Sequence, residues 1–202
     1  TLFKERLHQA GQRARQSGRS LALLHIDLDR FKILNDSLGH ELADQLLRQM
    51  SRRLAQTIPE AETLARLSGD EFAVLLDSYG SLSSLARLAS RVLSKLRLPI
   101  MVGDQELVVS ASIGTSLLPD NARELSTLLS QANMAVQHAK HLGGNTFQFY
   151  TDNLQACTLE RLQLANQLRK GIEEGQLEVF YQPKLCLADD SLHSAEALVR
   201  WR

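Results

Sequence analysis

The seven residues Arg66-Leu67-Ser68-Gly69-Asp70-Glu71-Phe72 constrain this chain more than any other stretch. They join two apolar runs, residues 62–67 and 72–76. The pattern predicts strand, tight turn, strand, with Gly69-Asp70 at the tip. A glycine-aspartate pair between strands is by itself only a turn former. Two adjacent carboxylates there, Asp70 and Glu71, gain a further use when a third acid stands close, because hard divalent cations take several oxygen ligands. The best third acid is Asp27, at the end of the apolar run 21–26.

The rest of the chain alternates helices with strands. Leu2, Phe3, Leu7, Ala10 and Ala14 recur at helical spacing, and Gly18 ends that segment. Residues 21–28 read as a buried strand, with His25 as a core or sheet-face histidine. Asp27 and Asp29 share a side if that strand persists. Residues 30–39 read as a loop in which Asn35-Asp36-Ser37 favours turns. Residues 41–56 predict a helix with Leu42, Leu46, Leu47, Met50 and Leu54 as its apolar stripe. His40 and Asp44 are four apart, so both can face the loop mouth. A second such helix covers 81–98 and stops at Pro99. Residues 100–118 predict another hairpin, turning at Gly103-Asp104. A third helix spans 124–142, capped by Gly143-Gly144, and residues 146–150 form a closing strand. Hairpins exclude a purely parallel sheet, so the fold class is α/β, a mainly antiparallel sheet flanked by helices. Beyond Tyr150, Leu159, Leu162, Ala165, Leu168 and Ile172 mark an amphipathic helix, followed by strand-like runs at 177–183 and 196–201.

Lys plus Arg total 23, as do Asp plus Glu, giving a formal net charge of zero. That removes the bulk basic footprint a nucleic-acid duplex requires, so anion binding rests on local geometry. The two cysteines, Cys157 and Cys186, make no disulfide framework and suit a reducing, cytoplasmic setting. No apolar run reaches the length of a membrane span, and no membrane contact is expected of this segment. An anchor elsewhere in a longer protein is compatible with that.

Taken together, Asp27-Leu28-Asp29-Arg30-Phe31-Lys32, Asn35-Asp36, Gly39-His40 and Asp44 resemble the front half of the GGDEF family of diguanylate cyclases. Ser68-Gly69-Asp70-Glu71-Phe72 falls where that family carries its signature. Ser112-Ile113-Gly114, Ala139-Lys140, Gly143 and Asn145 match later landmarks in order. The resemblance sharpens the fold to the palm-like (nucleotidyl cyclase, ferredoxin-like) sandwich. The runs at 177–183 and 196–201 resemble the opening of an EAL-family cyclic di-GMP phosphodiesterase. There Glu196 matches the signature metal-ligating acid, and Gln182 and Arg200 match positions that contact the dinucleotide. A (β/α) barrel takes on the order of 250 residues, so only its truncated start is expected. The resulting division is a cyclase-like domain at 1–150, a linker helix at 151–175 and an EAL fragment at 176–202.

The GGDEF resemblance implies joining two GTP molecules into cyclic di-GMP, with Mg²⁺ or Mn²⁺ as cofactor. It also implies a homodimer that brings two loaded sites face to face, and a downstream EAL domain as partner. Asp70 and Glu71 are the implied catalytic acids. Asp27, the Leu28 carbonyl, Asp70 and Glu71 are the implied metal ligands. Phe31, Lys32, Asn35, His40, Asp44, Ser68, Gly69 and Lys140 are the implied substrate-binding residues. Among them Asn35 and Asp44 read guanine, while Lys140 and backbone N–H groups around 30–32 meet phosphate.

The sequence also departs from the family. Ser68 replaces the usual first glycine, at a cost on the order of 1 kcal/mol if that position needs positive φ. Gly144 stands where a phosphate-binding arginine is usual, which removes about 1.5–3 kcal/mol of charged contact. Ala43 and Asn133 replace a usual glycine and aspartate. Pro59 and Glu62 occupy the Arg and Asp positions of the product-inhibition motif, so no inhibitory site of that kind is expected. The alternative to a cyclase is a weak or inactive GTP-binding domain that regulates the attached EAL phosphodiesterase. A third reading is a structural dimerisation domain.

Overall fold

The computed structural model describes residues 2–202 apart from Ser78, Arg123 and 188–190, and apart from the side chains of 155–163. Cys157, Leu159 and Leu162 fall within that last span, so the expectations on them lie outside the described residues. The chain forms two compact units, residues 1–154 and 155–202.

The first unit is built on β1 (Leu21–Leu28), whose eight residues are all buried. It pairs antiparallel with β3 (Glu71–Asp77) on one side and β6 (Ala111–Leu118) on the other. β2 (Thr63–Ser68) extends the sheet beyond β3, and β7 (Phe147–Phe149) lies parallel to β6. The order is β2-β3-β1-β6-β7. A strand buried on both faces reads as a continuous apolar run, which is why β1 shows little alternation in sequence.

Its two faces nevertheless diverge. Ala22, Leu24, Ile26 and Leu28 join a core with α3 (His40–Thr57) and α4 (Leu82–Leu96). Leu21 and Leu23 join a second core with α1 (Leu2–Ser17) and α5 (Leu125–His141). Period-2 geometry therefore sends His25 and Asp27 toward α1 and α5. Local chemistry fixes α4 at both ends. Ser81 caps its start by accepting from the Ser84 N–H at 3.2 Å. At its other end the Arg53 guanidinium of α3 donates to the carbonyls of Leu96 at 3.2 Å and Pro99 at 3.0 Å.

Two expectations fail. Residues 30–39 are not a loop: Phe31–Leu38 is a helix, α2. Asn35-Asp36-Ser37 prefers turns in isolation, but Phe31 is buried and Leu34 packs against the same core, and tertiary burial overrides propensity. The hairpin expected over 100–118 also divides. β4 (Ile100–Val102) and β5 (Gln105–Leu107) form a separate two-stranded ribbon. β6 instead spends its two edges on β1 and β7.

The second unit takes in all but the first three residues of α6 (Asp152–Glu173), which leads into β8 (Leu177–Leu185) and β9 (Leu192–Trp201), an antiparallel pair. Trp201 Nε1 donates to Gln176 Oε1 at 3.0 Å. Both strands are largely exposed, Phe180 and Tyr181 included. Among the described residues there is no closed barrel, and no helix is long and apolar enough to cross a membrane.

The tightest packing lies where α5 crosses β6. A Cβ on Gly114 would stand 2.1 Å from the Ala132 carbonyl oxygen and 2.4 Å from the Val136 nitrogen. Both are helix backbone and cannot step aside singly. Gly114→Ala is expected to cost about 3 kcal/mol by forcing α5 off the sheet, as measured by denaturant unfolding.

Candidate active site

Strand register assembles the acids. Asp27 of β1 lies opposite Glu71 of β3 on one side and Ser112 of β6 on the other. Asp70 precedes Glu71 in the turn, and its carbonyl accepts from the Leu28 N–H at 3.3 Å. Asp27, Asp70 and Glu71 thus gather at one end of the sheet, as expected from the hairpin.

Asp27 is 5% exposed, and its Oδ1 lies 2.6 Å from Lys140 Nζ on α5. Burial pushes its carboxyl up to about 6; Lys140 opposes that rise, and the charges of Asp70 and Glu71 add to it. Glu71 accepts a hydrogen bond from Ser68 Oγ at 2.9 Å on Oε2, while its Oε1 lies 4.0 Å from His25 Nε2. His25 is 3% exposed, and neither ring nitrogen has a hydrogen-bond partner. Burial is the main cause that lowers its pKa below 6.5. A cleft of about 500 Å³ opens beside His25 and Glu71, walled by Phe3, Leu67, Leu129 and Asn133.

The turn is held by Arg66 Nε, which donates to the Gly69 carbonyl at 2.7 Å. Gly69 carries the positive φ, +47°. Among the described residues Arg30 and Asn145 are the only non-glycines with positive φ, so Ser68 bears none of the strain its position suggested.

Asp29 takes a different part from its neighbour Asp27. Its carboxylate accepts from Ser110 Oγ at 2.6 Å, Ser112 Oγ at 2.7 Å and the Asn145 N–H at 2.9 Å. It therefore ties the end of β1 to β6 and to the loop before β7. Gly144 belongs to this knot: with φ at +75°, a Cβ there would lie 2.9 Å from the Asp29 carboxylate. The serines at 110 and 112 were the available signal for this lock, since their alternation places both hydroxyls on one face. His25 beneath Glu71 carried no comparable signal in sequence.

The other candidates sit on α2 and α3. Phe31 is buried at the first position of α2, and Lys32 is exposed beside it. Arg30 precedes them in the left-handed region without a side-chain cap. The expected loop cradle is thus a helix N-terminus, whose first N–H groups lack intrahelical partners and favour anions. Asn35 is half-buried on α2, while His40 and Asp44 are exposed on the first turns of α3, beyond Gly39. Glu62 pairs with Arg13 of α1. In the second unit Gln182 and Glu196 are register partners, Arg200 faces Glu178, and Lys184 holds Glu196 at 3.1 Å.

Among the described residues no three His, Cys, Asp or Glu side chains converge ready to hold a metal. The donor chemistry still fits a hard divalent cation. Three carboxylates share one strand end, the Lys140 ammonium already stands as the positive charge against Asp27, and nucleotide phosphate oxygens are the usual complement of such sparse sites.

An antiparallel sheet closed by one parallel strand, helices on both faces and acids at one strand end define the palm-like α/β class. The sequence profile of the GGDEF family ("Diguanylate cyclase, GGDEF domain") matches residues 1–146, and the chain belongs to that family. The GGDEF domain of TpbB (YfiN) from Pseudomonas aeruginosa superposes with a TM-score of 0.75 at 34% identity, over 78% of this chain and 92% of that one. The cyclic di-GMP phosphodiesterase NbdA of the same organism is 39% identical over the whole of this chain. MucR, a bifunctional diguanylate cyclase/cyclic di-GMP phosphodiesterase of that organism, is 36% identical over 99% of it. The chain spans only 26% and 29% of those two proteins.

Two variants test the electrostatics. The folded state holds the Asp27 proton more tightly than the unfolded chain, whose value is near 3.8. Its contribution to stability is therefore full below pH 3.8 and is lost as pH rises through about 6. At pH 8 the ionised carboxylate is therefore a net cost to the fold. Asp27→Asn is expected to raise the melting temperature at pH 8, with the gain shrinking on acidification through pH 6. Gly144→Arg is expected to lose roughly 1–2 kcal/mol from positive φ alone, and to fail to tighten GTP, because its side chain meets Asp29 first. Thermal melts with and without GTP read both effects.

Proposed function

We propose that this GGDEF domain is a diguanylate cyclase that joins two GTP molecules into cyclic di-GMP and releases two pyrophosphates. The observation that supports the reading is the strand register that sets Asp27 opposite Glu71, with Asp70 next in the turn and Lys140 against Asp27. Mg²⁺ or Mn²⁺, held by Asp27, Asp70, Glu71 and the Leu28 carbonyl, would supply charge neutralisation at the phosphates and acidify the attacking hydroxyl.

The chain's own residues do the rest. The N-terminus of α2, through the N–H groups of Phe31 and Lys32, receives the phosphates. Lys140 leaves Asp27 for a phosphate oxygen when nucleotide arrives. Asp44 accepts from the guanine N1–H and amino group, and the Asn35 amide donates to its acceptors. His40 and Gly69 line the mouth through which the ribose enters. Glu71 takes the proton of the ribose 3′-hydroxyl. That oxygen bonds to the α-phosphorus of the GTP held by a second protomer, and the bond to pyrophosphate breaks. Each protomer carries one GTP, so a homodimer is required.

β8 and β9 are read as the opening of an EAL domain, with Gln182, Glu196 and Arg200 its ligand-facing residues. The longer protein is then a cytoplasmic-facing GGDEF–EAL signalling protein.

GTP turnover with Mg²⁺ or Mn²⁺, followed by chromatography of cyclic di-GMP, tests this. Product from the parent, reduced at least 100-fold in Asp70→Ala, is the expected outcome on the order of magnitude that losing one charge-stabilising group carries. GTP that raises the melting temperature without any product would instead leave a GTP-binding regulatory domain.

A further inference from the structure

We propose that Ser68, where the family usually carries glycine, is a positioning residue for Glu71. The inference rests on the cyclase reading above, and concerns how this chain prepares its metal site.

Ser68 and Glu71 are register partners across the two-residue turn, so their side chains emerge on the same face of the hairpin. The Ser68 hydroxyl donates to Glu71 Oε2 at 2.9 Å. Nothing in the backbone argues against serine here, because the left-handed conformation falls on Gly69. The hydroxyl is therefore gained without strain.

What it does follows from the surroundings of the carboxylate. Glu71 is only half-buried and borders an open cleft, so the side chain has room to swing. A free glutamate samples many rotamers, and a cation must order it on binding. The hydroxyl ties Oε2, while Oε1 stands 4.0 Å from His25 Nε2, beyond hydrogen-bond distance. With glycine at 68 that one restraint is gone. Serine pre-orients one carboxylate beside Asp27 and leaves Oε1 uncommitted by any hydroxyl. Threonine keeps the same donor atom, whereas alanine keeps the backbone restriction and loses the donor. The pair of variants separates hydroxyl chemistry from chain stiffness.

The test is Mn²⁺ titration by electron paramagnetic resonance on the folded protein with GTP present, alongside kcat and KM for GTP. Parent, Ser68→Thr, Ser68→Ala and Asp70→Ala are compared. Ser68→Ala is expected to weaken Mn²⁺ by about three- to tenfold, the effect of losing one part-exposed hydrogen bond to a charged group. Ser68→Thr is expected to stay near the parent. The loss should fall on kcat and on the Mn²⁺ dependence, with KM for GTP held within about twofold. Equal or tighter Mn²⁺ binding by Ser68→Ala, in a parent that binds the ion through Asp70, overturns the positioning role and leaves the cyclase reading standing. A parent that binds no Mn²⁺ overturns both.

Discussion

A carboxylate held at the end of a strand buried along its whole length is the constraint on which this domain turns. Asp27 follows six buried residues of β1, and water reaches it only at the margin. A charge there is costly, and the fold offsets it with one ammonium from α5. The arrangement is poor as a stabilising device and good as a receptor. Its deficit is greatest when Asp70 and Glu71 add their charges nearby. On the function proposed above, a cation entering there would relieve repulsion the folded chain carries, coupling stability to occupancy.

The sheet holds that charge in place through contacts that are themselves uncompromising. α5 lies so close to β6 that only glycine fits at 114, and the same helix delivers Lys140. Just past the end of β1, Asp29 accepts three hydrogen bonds, from Ser110, from Ser112 of β6 and from the Asn145 N–H before β7. Two aspartates two positions apart thus differ in their surroundings: Asp27 is buried with the Lys140 ammonium as its partner, and Asp29 is satisfied by three donors.

Much of this was legible in the sequence. The hairpin at Gly69-Asp70, the helices over 41–56, 81–98 and 124–142 and the buried strand at 21–28 each announce themselves by periodicity or turn chemistry. α2 did not, because its turn-favouring Asn35-Asp36-Ser37 is outvoted by the burial of Phe31, a long-range effect. The partition of 100–118 into a ribbon and a central strand was hidden for a similar reason: β-propensity does not say which neighbour a strand chooses. At the site, the acids could be found by motif. The hydroxyl of Ser68 on Glu71 and the ring of His25 beneath it depend on side-chain direction, which only the folded register supplies.

Gly39 serves as both the last cap of α2 and the first of α3, at φ 79° and ψ 163°. Asn35 hangs from one helix, His40 and Asp44 from the other. The turn between these polar groups is made at one residue, like the pivot of a calliper, and the packing of Phe31 and Leu34 on the core shared with α3 holds the two arms. The joint itself admits only glycine cheaply at those torsions, so a side chain at 39 would strain the link between the two helices.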